Sequence, residues 1–302
     1  MLSLAIASGL MESGIRVRYL KDSLLPVMRW VCRQGMADGG IYISSKNGTE
    51  FKIINTHGND LSFDERNCIQ KIYSNYEFTS AGEEFVECID EMANPEEYYT
   101  AFIAGLFSEA YKCLKIGNIH CSKEKKEAII AFVISELYPD APIFISVSSA
   151  LSAEKIAKKY NKKIVRCGSH SGDVMHEMEK YMDIPGVYEQ YLMMYDDFAF
   201  EMALSHFSGI TGKNPMFDCE YPNVFKKTSY VDCGTDQKNE LLKKLFENDY
   251  VKRNFDWNDG LINFNNYGYI RIIPDNVRPR IRVIVESYEE EYANDMTEKI
   301  SE

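Results

Sequence analysis

The chain has 302 residues, 45% hydrophobic and 26% charged, enough to bury the cores of two or three domains. Its 34 basic residues against 46 acidic ones leave a net charge of −12. Without any long basic run, that balance argues against nucleic acid as the main partner. No apolar run approaches the roughly 20 residues of a membrane helix, so neither span nor membrane partner is expected. Eight cysteines stand singly, from Cys32 to Cys233, with no C-x-x-C pair. That usage implies reduced thiols and a cytoplasmic location, and Cys113 with His120-Cys121 lacks paired zinc spacing.

In chain order, Leu2–Ser13 has helical apolar spacing, and Gly14 stops it. Lacking a basic start, Met1–Leu10 reads as part of that helix and not as a signal peptide. Ile15–Leu20 alternates as a strand, and Pro26 opens a helix through Gln34. Strands follow at Asp38–Ser45 and Phe51–Asn55, then a helix at Asp64–Tyr73 capped by Ser62. This alternation predicts α/β layering on a largely parallel sheet. Pro95–Leu114 is helical, and its Tyr98, Tyr99, Phe102 and Phe107 belong to core or interface. Lys125–Leu137 is predicted as an amphipathic helix, Ile143–Val147 as a buried strand, Ser148–Tyr160 as loop and helix, and Lys163–Arg166 as the next strand. Ser169–Asp173 is predicted as a loop, in which Gly172 supplies flexibility beside His170, Asp173 and His176, a weak acid–base candidate group. Asp196-Asp197 reads as a solvated helix start, and Gly209–Tyr221 as a linker. A final unit has a helix at Lys238–Phe246, strands near Gly260–Phe264, Tyr269–Ile273 and Ile281–Glu286, and a helix at Glu290–Ile300.

Chemistry concentrates between the last strands. Tyr269–Val283 holds Arg271, Arg278, Arg280 and Arg282 around a Pro-Asp-Asn loop containing Asn276. Arginine offers planar paired donors and turn amides add more, so such a loop can hold a phosphate dianion. Alternate residues of a strand share a face, which puts Arg280 and Arg282 together. The competing reading is a charged edge strand facing water.

The same stretch resembles the C-terminal phosphate loop of the α-D-phosphohexomutases (phosphoglucomutases and phosphomannomutases), R-P-S-G-T-E-P followed by an Arg-containing strand. Pro274, Pro279 and Arg282 match, whereas Ile273, Asp275, Val277 and Arg278 replace the family's Arg, Ser, Thr and Glu. Ala37–Ile43, A-D-G-G-I-Y-I, resembles the first-domain strand that leads to the family's catalytic loop T-A-S-H-N-P. Ser45, Lys46 and Asn47 then take the places of Ser-His-Asn, and Ser44 precedes them. His57-Gly58 matches a later Asp-Gly turn, and Ile143–Arg166 follows the third-domain pattern closely. His170 and Gly172 stand where the family has Gly-x-Lys. Gly186 and Glu189 stand where the family's G-E-x-S-G grips sugar hydroxyls. No D-G-D-x-D-R occurs, nor any other D-x-D-x-D.

The resemblance implies phosphohexomutase-like α/β domains with mixed sheets, followed by a small α+β C-terminal domain. Residues 1–92 correspond to the first domain without its opening strand, 93–122 to a connecting helix and remnant of the second, 123–215 to the third, and 222–302 to the last. It implies Ser45, Ser44 and Lys46 as catalytic candidates, Arg278, Arg280, Arg282 and Asn276 as phosphate ligands, Glu189 as a sugar ligand, and no metal site. Two functions stand open. One is a non-catalytic, degenerate relative that binds a hexose phosphate or a partner, such as a full-length mutase or a second copy covering the edge left by the opening strand. The other is an active isomerase of carbohydrate metabolism using the loop serine, and only that reading requires Mg²⁺.

Overall fold

A computed structural model describes residues 2–45, 49–77, 89–108, 121–146, 149, 151–168, 170–234, 237, 240–241, 243–244, 247, 256–257, 261–264, 267–274 and 278–301. The architecture is mixed α/β with parallel and antiparallel sheets. The chain packs into two units, one of residues 1–116, 170–182 and 191–211, the other of residues 117–169, 183–190 and 212–302.

The first unit opens with α1 (Leu2–Glu12), β1 (Val17–Tyr19), α2 (Leu25–Arg33), β2 (Gly40–Ser44), β3 (Glu50–Ile54), α3 (Phe63–Ser74), β4 (Ile89–Glu91) and α4 (Pro95–Leu106). Pro26 lies in the first turn of α2, where its missing N–H has no helical acceptor to lose. Ser62 and Glu65 form a reciprocal capping box at α3, satisfying two backbone donors at once. β1 pairs β4 in parallel, Val17 opposite Ile89. β2 and β3 instead form an antiparallel hairpin with Ser44 opposite Glu50. A largely parallel sheet was expected here, but Ser45–Thr49 is far too short for a parallel crossover. Along α4, Tyr99, Ile103 and Phe107 are buried, and the Trp30 ring meets Tyr99 edge-on at 6.0 Å. Tyr98, on the opposite side of that helix, is 59% exposed and does not join the core.

Helices α7 (Ser171–Glu179) and α9 (Asp197–Thr211) pack within this first unit. The loop expected at Ser169–Asp173 is the start of α7, with His170 at the cap position. Gly172 serves close approach and not flexibility. A Cβ there would lie 2.1 Å from the Leu61 carbonyl oxygen, which is backbone and cannot swing aside. An added methyl would cost about 1–3 kcal/mol of overpacking, against the ~1 kcal/mol that alanine ordinarily contributes in a helix. Gly58, at φ +75, has both constraints: a left-handed backbone and an Arg29 carbonyl 2.2 Å from any Cβ. Asp196 is a helix start but not a solvated one. It is 7% exposed, accepts from the Phe198 N–H at 3.0 Å and from the Tyr99 hydroxyl. Burial raises its pKa, and the Tyr99 bond opposes that rise.

The second unit contains α5 (Lys123–Leu137), β5 (Ile143–Ser146), α6 (Leu151–Lys159) and β6 (Ile164–Cys167), a right-sized β–α–β piece with Ile143 parallel to Ile164. Every residue from Ala128 to Ser135 is buried, so α5 is a central helix enclosed on all sides and not amphipathic. α8 (Val187–Tyr195) leads from residues of the second unit into the first. The expected linker Gly209–Tyr221 contains the end of α9 and the short α10 (Pro215–Asp218).

Strands β7 (Phe225–Asp232), β8 (Asp256–Trp257), β9 (Leu261–Phe264), β10 (Gly268–Pro274) and β11 (Arg280–Ser287) form one antiparallel sheet in the order β7-β11-β10-β9-β8. Helix α11 (Glu290–Ser301) covers one face through Ala293, Met296 and Ile300 against Ile270, Ile272, Ile281, Val283 and Val285. On the other face Tyr269, Ile273 and Ile284 meet Leu151 at the start of α6. The helix expected at Lys238–Phe246 lies largely outside the described residues, as does the end of the one expected at Pro95–Leu114. Among the described residues no helix is long and apolar enough to cross a membrane.

Candidate phosphate-binding site

Register fixes which arginines meet. Arg282 on β11 stands opposite Tyr230 on β7 and Ile273 on β10, and Arg280 stands opposite Asp232. Directly opposed residues of antiparallel strands project from the same face. The face turned away from α11 therefore carries Arg280, Arg282, Tyr230 and Asp232 at one end, with Arg271 one step further along. Arg271 is only 7% exposed, Arg280 and Arg282 are half-buried, and Arg278 before the strand is exposed. The Arg280 guanidinium carbon lies 3.7 Å from the centroid of the Tyr230 ring. Among the described residues the buried Arg282 Nε–H has no hydrogen-bond acceptor. Asn276 lies outside the described residues.

The opposite end of that face is closed by other chemistry. Glu286 is 2% exposed and accepts from the Leu151 N–H at 3.3 Å, the first turn of α6, where a carboxylate is favoured. Burial raises its pKa, while the Tyr269 hydroxyl, Lys226 and that N–H favour the charged form. Lys226 also reaches Glu124 at 3.8 Å. Charges at this end are thus mutually engaged, and the site narrows to the Arg280–Arg282 end.

The serine candidates sit in the first unit. Ser44 ends β2, half-buried, and Ser45 follows it on the hairpin turn, exposed. Among the described residues Ser45 has no side-chain hydrogen-bond partner, so no base is shown within reach of its hydroxyl. Lys46 lies outside the described residues. Lys52, further along β3, points its ammonium at Asp60, 3.9 Å away.

Glu189 lies in the first turn of α8 and not in an open loop. Its carboxylate accepts the Gly186 N–H at 3.0 Å and lies against the Tyr138 hydroxyl. Burial first, and Glu189 second, push that hydroxyl above its ordinary pKa. Asp173 accepts the Phe63 N–H at 3.0 Å, which ties α3 to α7, so it is engaged in packing beside His170. Among the described residues no three His, Cys, Asp or Glu side chains converge as a metal site requires.

Comparison with known proteins agrees with the fold. The family model for phosphoglucomutase/phosphomannomutase α/β/α domain I matches residues 1–80. A phosphoglucomutase/phosphomannomutase family protein from Burkholderia thailandensis shares the fold at a TM-score of 0.64 and 11% identity, over 98% of this chain and 84% of that one. The exocytosis-sensitive phosphoprotein pp63/parafusin (phosphoglucomutase) of Paramecium, in its open form, does so at 0.54 and 11%, over 99% and 84%. No curated protein matches the chain by sequence. Residues 1–80 thus resemble the first domain of the phosphoglucomutase/phosphomannomutase family, and the chain shares the fold of these solved structures.

Proposed function

We propose that this chain is a non-catalytic phosphohexomutase relative that binds a hexose phosphate through the Arg280–Arg282 end of its C-terminal sheet. The observation that carries the reading is the Arg282 guanidinium. It is half-buried, its Nε–H has no acceptor among the described residues, and Arg280 shares its face two residues away. A buried unsatisfied donor on a cation costs about 1–3 kcal/mol, which a bound anion would relieve. Against turnover stands the sequence, in which no two aspartates are separated by a single residue, so no D-x-D metal loop is present.

A second reading has one observation in its favour. Ser45 is exposed on a turn after a strand, as a phosphoryl-carrying serine must be. In that reading its hydroxyl oxygen would receive and return the phosphoryl group of a hexose phosphate. A coupled assay with glucose 1-phosphate and mannose 1-phosphate in the presence of Mg²⁺ separates the two. No turnover and no phosphoserine in the intact mass are expected. Turnover that disappears in Ser45→Ala or Ser44→Ala would establish the isomerase instead.

A further inference from the structure

Strand β7 ends the C-terminal sheet, with β11 on one side and, among the described residues, no strand on the other. The Cys233 N–H, one residue past β7, donates to the Pro279 carbonyl at 3.0 Å, and Asp232 stands opposite Arg280. Hydrogen-bonded and non-hydrogen-bonded pairs alternate along an antiparallel ladder. Lys227, Ser229 and Val231 therefore turn their backbone groups toward β11, and Lys226, Thr228, Tyr230 and Asp232 turn theirs outward. Those four residues are exposed, and among the described residues nothing bonds to their outward N–H and C=O groups. An edge of this length is a template for another strand.

We infer that β7 is a dimerisation edge: two copies of the chain pair their β7 strands antiparallel about a twofold axis at Ser229. The strand is complementary to itself in that register. Lys226 falls opposite Asp232 of the second copy at both ends, and Thr228 falls opposite Tyr230, so opposite charges and aromatic–β-branched pairs face each other and no like charges do. Every outward backbone group of the strand gains a partner, because outward residues meet outward residues. Moving the axis by one residue either way breaks both charge pairs, and an axis at Lys227 sets that lysine against itself. Lys226 also reaches Glu124 at 3.8 Å, but its side chain is 45% exposed and has room for a second carboxylate. The axis stands perpendicular to the sheet, so both Arg280–Arg282 ends lie on one face of the joined sheet and both copies of α11 on the other. This inference does not depend on phosphate binding.

The test is analytical ultracentrifugation of the full chain over a concentration series, with wild type, Thr228→Pro, Ser229→Cys and Lys227→Cys. Wild type is expected to rise from one chain mass toward two. Proline at 228 removes an outward N–H that no β11 carbonyl uses, so it spares the sheet. It deletes a bond on each side of the axis and should weaken association by about tenfold or more, with the circular dichroism unchanged. Ser229→Cys sets two thiols across the axis in a non-hydrogen-bonded pair, about 4.5 Å between Cα atoms and within disulfide reach. Mild oxidation should then give a covalent dimer on a non-reducing gel. Lys227→Cys, two residues off the axis, should give no more than wild type. Wild type that stays monomeric at every concentration overturns the proposal and leaves the edge to a different protein. A dimer that persists in folded Thr228→Pro, or equal cross-linking of Ser229→Cys and Lys227→Cys, overturns it in favour of another interface. If Thr228→Pro does not fold, the Ser229→Cys cross-link decides alone: its presence supports the pairing and its absence overturns it.

Discussion

Replacing Arg29 by methionine is expected to destabilise the first unit by about 3 kcal/mol, the largest single-residue effect anticipated in this chain. Arg29 is 6% exposed on α2, and its Nη2 meets Asp60 Oδ1 at 2.5 Å. The same guanidinium lies 5.4 Å over the Tyr195 ring and donates to the Met175 sulfur at 3.2 Å. Methionine matches much of the volume, so the loss is mainly electrostatic. It leaves the Asp60 carboxylate, 15% exposed, with the Ser171 hydroxyl and a lysine at 3.9 Å. Those remaining partners put the cost at the lower end of the range for breaking a buried pair. Because the penalty comes from an uncompensated charge, Arg29→Met with Asp60→Leu should recover more than half of it. Urea unfolding of the single and double variants measures both quantities. A single-variant cost below about 1 kcal/mol, the value of a solvated surface pair, would contradict the assignment.

Glutamine at Glu154 is expected to cost about 2 kcal/mol at neutral pH and almost nothing in acid. The Glu154 side chain is 6% exposed, with Lys158 at 2.7 Å and Arg166 at 2.5 Å. Burial alone would raise its pKa, but the two cations outweigh burial and the net shift is below the ordinary 4.5. A carboxylate with a depressed folded pKa contributes stability above its unfolded value. That contribution fades as pH falls below 4.5 and is gone beneath the folded value. The stability gap between wild type and Glu154→Gln should therefore close on the acid side. The cations are partly exposed, 63% for Lys158 and 32% for Arg166, and regain water when the carboxylate is lost, which keeps the figure modest. A gap of constant size from pH 7 to pH 2 would show that packing, not charge, is what glutamine disturbs.

What could be read from the chain and what could not divides by range of interaction. The Ser62 cap, the β5–α6–β6 piece and the shared face of Arg280 and Arg282 follow from local spacing, and the structure has each of them. The antiparallel β2–β3 hairpin was missed because strand direction is set by pairing, although the short Ser45–Thr49 connection already favoured it. The role of Gly172 was misread because a helix seated on the Leu61 carbonyl is a contact between segments more than a hundred residues apart, with no local signature. Tyr230 was overlooked for the same reason. Its place beside Arg280 arises from the β7–β11 register, and nothing near residue 230 indicates an arginine partner fifty residues later. Glu189 was read as a sugar ligand from the resemblance; in the structure its carboxylate accepts the Gly186 N–H at the start of its own helix.

The binding claim is tested most directly by titrating glucose 1-phosphate, with Mg²⁺ present, into wild-type protein and into the Arg280→Ala/Arg282→Ala variant, and then recovering the sugar. Each charged hydrogen-bonding partner contributes about 1.5–3 kcal/mol, so the double substitution should weaken binding by at least about 100-fold. Saturable wild-type binding that is lost in the variant, with the sugar phosphate recovered unchanged, is the expected result. Equal affinity in the two proteins, or recovery of the 6-phosphate from the wild type, would contradict it.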